Sequence, residues 1–186
     1  YLNDAPYQLP SNMSDASAFS GDSGRKIVLN LLRDRARRQA FALEEEFTRA
    51  MDGGMTFDQA LNSIAVAGWH ATECHCFYVM AKEAFEGLPK EVKDPQVLAA
   101  VANGLDLVLL QTIQEQAGDF LGVMQPMHAK LIQRRITALL DVVRVDCVAL
   151  SDSFGFHDHQ LSSTIGRKDG NVYEAIYGEA TRSPLN

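Results

Sequence analysis

The sequence predicts an all-α protein: an up-down four-helix bundle with a short extra C-terminal helix. Three observations lead there. Apolar residues recur in steps of three and four through four long stretches, which puts each set on one helix face. Nothing alternates with period two for long enough to make a sheet. Each stretch is bounded by Gly, Pro or a capping residue, and short connections between long amphipathic helices make antiparallel neighbours.

Residues 1–24 hold two prolines, many Ser and Asp and no sustained period, and are expected to be an extended lead-in. From Arg25, Leu32, Ala36, Ala40, Leu43, Phe47 and Ala50 share one face of a long helix that Gly53-Gly54 stops. Thr56-Phe-Asp-Gln59 has the form of a capping box, so a second helix is expected from there to about Glu86, before Gly87-Leu-Pro89. Asp94-Pro95 sets a cap before a proline at the first helical position, and the third helix carries Leu98, Val101, Leu105, Val108 and Thr112 on one stripe. It weakens around Gly118 to Gly122, and Gln125-Pro126 begins a fourth with Ile132, Ile136, Leu139, Val143, Cys147 and Leu150 on its apolar stripe. At roughly 25 residues each, these helices would span about 37 Å. The expected division is the lead-in 1–24, a helical bundle 25–154, and a tail 155–186 with a charged turn and a short helix, one domain in all.

Several helices are apolar on more than one side. Ile64, Val66, Trp69, Phe77, Tyr78, Val79 and Met80 cannot all face one bundle seam, and the run Leu105 to Leu110 is similar. Such helices are buried among more neighbours than three partners supply, which points to a large contact with another domain or subunit.

A net charge of −7 and a pI near 5.2 argue against a nucleic-acid partner, whose phosphates need clustered Lys and Arg. The one basic run, Arg33, Arg35, Arg37 and Arg38, is followed by Glu44, Glu45 and Glu46, and is expected to be a solvated face. No uninterrupted apolar segment approaches the roughly 20 residues of a bilayer span, so no membrane span is expected. Three cysteines, two of them at Cys74 and Cys76, do not make a disulfide framework and suit a reducing compartment. The sequence begins at Tyr1 and ends Ser-Pro-Leu-Asn without a lipidation or peroxisomal tripeptide, so a piece of a longer polypeptide is expected.

Two clusters invite a metal reading. His70 and Cys74, four apart, share a helix face, but Cys74, His75 and Cys76 point about 100° apart in turn and cannot converge on one ion. Buried cysteines and bonded histidines are the expectation there. His157-Asp158-His159 has no partner pattern elsewhere, and Phe154 and Phe156 are expected to anchor that crossover by burial. The sequence lacks Gly-x-Ser-x-Gly, Gly-x-x-x-x-Gly-Lys, Gly-x-Gly-x-x-Gly and His-Glu-x-x-His, so no residue is assigned a catalytic, cofactor-binding or metal role.

The tail is the most informative stretch. Gly166 and Gly170 bracket Arg167, Lys168 and Asp169, and Val172, Ile176 and Ala180 then recur at helical spacing with Asn171 as N-cap. With Val148-Ala-Leu-Ser-Asp-Ser-Phe154, Gly166-Arg-Lys-Asp-Gly-Asn-Val-Tyr173, Ser183-Pro-Leu-Asn186 and Gly118-Asp-Phe-Leu121, it resembles the C-terminal helical domain of the peroxisomal acyl-CoA oxidases. Asp158 and Leu161 also fall where that family places an acid and a leucine. Lys168 stands where the family carries an aromatic residue, and Ser151 and Ser153 replace small apolar ones.

The resemblance implies an FAD-dependent oxidase that converts fatty acyl-CoA to trans-2-enoyl-CoA and reduces O2 to H2O2, the first step of peroxisomal β-oxidation. It implies a glutamate base and a flavin domain outside these residues, catalytic domains of the same protein as partners, and a homodimer. It further implies that Arg167 and Asp169 fix the turn while Tyr173 and Tyr177 sit on a docking face; a structural clasp and direct contact with flavin or CoA both stand open. The competing expectation is a stand-alone helical interaction module.

Overall fold

The computed structural model describes residues 1–185, so Asn186, the last residue of the closing phrase, lies outside the described residues. Those residues are helical with no strand; the one β-bridge joins Leu121 and Met124. The helices are α1 Gly21–Asp52, α2 Phe57–Ser63, α3 Ala65–Glu91, α4 Pro95–Glu115, α5 Pro126–Asp152, α6 Asp158–Leu161 and α7 Val172–Thr181. The four long ones, α1, α3, α4 and α5, form the up-down bundle, with α1 packed most extensively on α3. Two compact units are distinguished, Tyr1–Val145 and Asp146–Asn186.

The lead-in is more ordered than its composition predicts. Leu9, Met13 and Phe19 are buried with Leu31, Leu32, Leu110, Ile113 and Ile132 in the core of the first unit. A 3₁₀ turn, Ala16–Phe19, is capped by Asp15 and leads into α1, which starts four residues before Arg25. Gly24 makes this entry possible. A Cβ there would lie 2.2 Å from the Phe19 carbonyl carbon, so only glycine lets the chain fold back on itself at this point.

The second predicted helix is two. Thr56 and Gln59 form the expected capping box: the Gln59 amide donates to Thr56 Oγ1 at 3.4 Å and the Thr56 amide donates to Gln59 Oε1 at 3.0 Å. The helix then breaks at Ile64 and resumes as α3. The break is a local distortion, because the Ile64 amide still donates to the Ala60 carbonyl and the Gly68 amide to the Ile64 carbonyl. α3 also passes Gly87 and Pro89 and ends at Glu91; Pro89 sits in the last turn, where its missing N–H removes a single bond.

Asp94 caps α4 as expected, accepting from the Gln96 and Val97 amides at 2.8 and 3.1 Å. The buried stripe of α4 is displaced from the predicted one. Ala102, Asp106, Leu109, Leu110 and Ile113 face inward, while Val108 is 56% exposed and Thr112 turns its hydroxyl to the Val108 carbonyl. The reason is Asp106, which is drawn inward by Arg25 of α1: Nε donates to Oδ1 at 2.9 Å and Nη2 to Oδ2 at 3.0 Å. By length and composition α4 is apolar enough to cross a membrane, although Asp106 interrupts its apolar run. Its Asp106 is ion-paired with Arg25, and Leu109, Leu110 and Ile113 lie in the core of the first unit. On α5, Ile132, Ile136 and Leu139 are buried, but Cys147 is exposed and Val143 only half-buried.

Gly24→Ala tests the folded-back entry. A substitution forced against backbone costs about 1–3 kcal/mol or more, so the thermal midpoint of the intact protein should fall by several degrees in scanning calorimetry, whereas Gly87→Ala, with open space around its Cβ, should not lower it.

Candidate functional site

The basic run on α1 is not a solvated face. Arg35 is fully buried and Asp34 is 2% exposed, and both take part in a charge cluster that joins α1, α3 and the 3₁₀ turn Ala117–Phe120. A periodic reading assigns consecutive positions to different faces, but here long arginine side chains reach round the helix to shared carboxylates. Asp119 is the centre. Arg35 Nε donates to Asp119 Oδ2 at 2.6 Å, Arg38 Nη2 donates to the Asp119 carbonyl at 2.6 Å, and Gln39 Nε2 donates to Oδ1 at 3.3 Å. From α3, His70 Nε2 lies 3.0 Å from Oδ2 and 3.2 Å from Oδ1. The Arg35 guanidinium also sits over the Phe120 ring, 5.8 Å from its centroid.

Asp34 is the second acceptor. It receives the Tyr7 amide at 3.1 Å, Arg38 Nε at 2.8 Å and Arg37 Nη2 at 3.3 Å, so the lead-in is tied to the same charges. Burial alone would push its carboxyl up; the hydrogen bonds from Arg38, Tyr7 and Arg37 outweigh that and hold it below the ordinary carboxylate value. His128, fully buried at the start of α5, anchors the lead-in again. Its Nδ1 accepts the Gln125 amide at 3.0 Å, which leaves Nε2 to donate to the Pro10 carbonyl at 3.1 Å.

Of the sequence-predicted candidates, His70 and Cys74 do face the same way and meet Asp119, a residue noted only for its family-like phrase. His75 and Cys76 are exposed and take no part; His75 Nδ1 pairs with the Tyr1 hydroxyl at 2.8 Å. The cluster is not a nucleophilic triad. A base must face its nucleophile with one nitrogen and its orienting carboxylate with the other. Here the same Nε2 lies near Cys74 Sγ, at 3.8 Å, and near Asp119. Burial pushes the Cys74 thiol up to about 11 despite the Arg35 charge that favours thiolate, so Cys74 is a neutral thiol at physiological pH.

The second unit carries the signature turn. Arg167 Nε donates to Asp169 Oδ1 at 3.0 Å and Nη2 pairs with Oδ2, as the resemblance implies; the pairing raises the arginine's value and lowers the aspartate's. Gly170 takes the left-handed φ of +71°, and Asp169, not Asn171, supplies the acceptor at the start of α7, taking the Asn171 amide at 3.0 Å. Asp158 accepts the Lys168 amide at 3.1 Å, Lys168 Nζ lies 3.6 Å from Asp152, and Thr164 donates to Glu179 at 2.6 Å. Asp158 is therefore spent on the turn and does not work between His157 and His159. Phe154 and Phe156 are exposed, Phe154 by 75%, and stack on each other, which corrects the expected anchoring by burial. Tyr173 and Tyr177 are exposed too.

Loss of the Asp34 hydrogen bonds should cost about 1–3 kcal/mol. Because the folded carboxyl lies below its unfolded value, this stability is complete above about pH 4 and is lost as pH falls through the lowered value. Thermal melts of the intact protein and its Asp34→Asn variant should therefore differ at pH 7 and converge in acid; a gap that stays constant down to pH 2 (about two units below the ordinary carboxyl value) would contradict the charge assignment.

The family model described as acyl-CoA oxidase matches residues 25–186. The peroxisomal acyl-coenzyme A oxidase 1 of Phascolarctos cinereus is 32% identical over 190 aligned positions, covering 100% of this chain and 29% of that protein. Its counterpart from Bos taurus is 39% identical with the same coverage. Among solved structures, Arabidopsis thaliana acyl-CoA oxidase 1 superposes with a TM-score of 0.79 at 26% identity, covering 96% of this chain and 26% of that one. Acyl-CoA oxidase-1 of Caenorhabditis elegans, complexed with FAD and ATP, gives 0.77 at 26% identity, covering 96% and 27%. The chain thus spans less than a third of the relatives it matches. Recognised by the family model from the second turn of α1 onward and aligned along its whole length with oxidase 1 relatives, this chain belongs to the acyl-CoA oxidase family.

Proposed function

We propose that these residues form the C-terminal helical domain of a peroxisomal, FAD-dependent acyl-CoA oxidase. The observation that carries this is the family match over residues 25–186, covering every long helix and the clasped turn. In the intact protein the reaction removes one hydrogen from Cα and one from Cβ of a fatty acyl-CoA, and both end on O2 as H2O2. FAD would supply the two-electron acceptor between substrate and oxygen.

In this reading the flavin is bound mainly by the rest of the polypeptide. An open, polar recess in the second unit is lined by Asp158, His159, Ser162, Thr164, Arg167 and Glu179. Such a lining has no apolar slot for a fused ring system and offers carboxylates to an anionic cofactor. No step of the oxidation is assigned to these residues.

What they supply is surface. On the first unit Val66, Trp69 and Met80 of α3 are exposed, Trp69 by 76%; on the second, Phe154, Phe156, Tyr173 and Tyr177 are. Apolar area of this extent is covered in working proteins. Its occupants in this reading are the catalytic domains of the same protein and the second subunit of a homodimer. The stand-alone module reading draws no comparable support, because full-length relatives continue well beyond the matched stretch.

The intact parent protein, purified and incubated with a saturated fatty acyl-CoA in air, should be yellow and release about one H2O2 per enoyl-CoA formed. Residues 1–186 expressed alone should be colourless, inactive and self-associated in light scattering. A colourless parent without peroxide release would overturn the assignment.

A further inference from the structure

Three donor atoms from two elements converge at the buried charge cluster. His70 Nε2 and Cys74 Sγ project from adjacent turns of α3, and a carboxylate oxygen of Asp119 reaches them from the 3₁₀ turn, all within 4.8 Å of one another. We propose that these three side chains form a binding site for a borderline-soft divalent cation of the zinc class, with water as the fourth ligand.

The donor set is the first argument. Thiolate, imidazole and carboxylate together suit zinc and not calcium or magnesium, which take oxygen alone. Geometry is the second. A tetrahedral zinc with bonds of about 2.0–2.3 Å holds its ligands about 3–4 Å apart. His70 Nε2 already lies 3.2 Å from Asp119 Oδ1 and 3.8 Å from Cys74 Sγ, so rotation of the cysteine and carboxylate side chains closes the set.

The surroundings are the third argument. Metal-bound histidine usually donates its other ring nitrogen to a carboxylate. His70 Nδ1 faces Glu73 Oε2 at 3.7 Å. Arg35 holds Asp119 Oδ2 at 2.6 Å and Gln39 donates to Oδ1 at 3.3 Å, which orients the carboxylate and leaves the second lone pair of Oδ1 to bind. Binding releases the Cys74 proton to solvent; the thiolate so formed, Asp119 and Glu73 then bring three negative charges against the dication and Arg35, so the occupied site is balanced. Cys74 is buried, whereas His70 is only half-buried and gives the ion and its water a path in.

The test uses the intact parent oxidase, purified without a histidine tag, stripped with chelator, re-exposed to zinc and desalted. Elemental analysis should find about one zinc per chain, and Cys74→Ser or His70→Gln should weaken retention by at least about a hundredfold. Glu73→Gln should weaken it by about ten- to a hundredfold. Cobalt(II) added to the stripped wild type should produce a thiolate charge-transfer band in the difference spectrum, absent in Cys74→Ser and kept in Cys76→Ser. The cobalt measurement needs no variant to fold: a wild-type difference spectrum without the thiolate band overturns the proposal, as does zinc content at buffer level or equal in wild type and Cys74→Ser.

Discussion

The placement of α1, α3 and the 3₁₀ turn depends on Asp119. It lies 84 residues from Arg35 and 49 from His70, yet its carboxylate and carbonyl take hydrogen bonds from Arg35, Arg38 and Gln39, and its oxygens face His70. Burying a guanidinium is costly unless a carboxylate meets it with good geometry. Arg35 is fully buried, with Nη1 and Nη2 lacking a hydrogen-bond partner among the described residues, so its charge is offset through the single Nε bond to Asp119. The apolar contacts of the core allow neighbouring helices to slide; this pairing fixes their register. Arg25–Asp106 does the same between α1 and α4, and His128 does it between α5 and the lead-in.

This polar pinning explains what the sequence made legible and what it hid. The number of long helices, the Thr56 and Asp94 caps and the inward face of α1 follow from local rules, because capping and helical periodicity are decided within a few residues. The Arg33 to Arg38 run was misjudged because the partner of its buried member lies far along the chain. A sequence signal did exist for the other pair: Asp106 is a lone acid within an apolar helix, and such a residue demands a buried cation. The α4 stripe was misplaced for the same reason, since a pattern of apolar residues alone cannot register an inward-facing acid. His128 had no signal beyond its neighbourhood to Pro126, and its partner is a backbone carbonyl 118 residues away.

Function was legible chiefly in the C-terminal phrases. The Gly166 to Tyr173 phrase folds as its chemistry suggests, with Arg167 and Asp169 paired, Gly170 left-handed and Asp158 and Glu179 taking bonds from the segment before α7. The turn is held from several sides within its own unit, which suits a structural clasp. Its tyrosines point outward, as do Val66 and Trp69 on α3. In the proposed reading, a domain of this kind contributes shape and covered surface to the rest of a polypeptide of which it spans less than a third.

A double-mutant cycle on Arg35→Met and Asp119→Asn, read as hydrogen-exchange protection of the α1 amides in the intact protein, measures the pinning interaction directly. If the pair fixes the bundle's register, the two substitutions should couple by about 2–3 kcal/mol, the double variant losing far less than the sum of the singles. Additive effects, with a coupling of about 0.5 kcal/mol or less, would mean that the apolar core alone positions these helices.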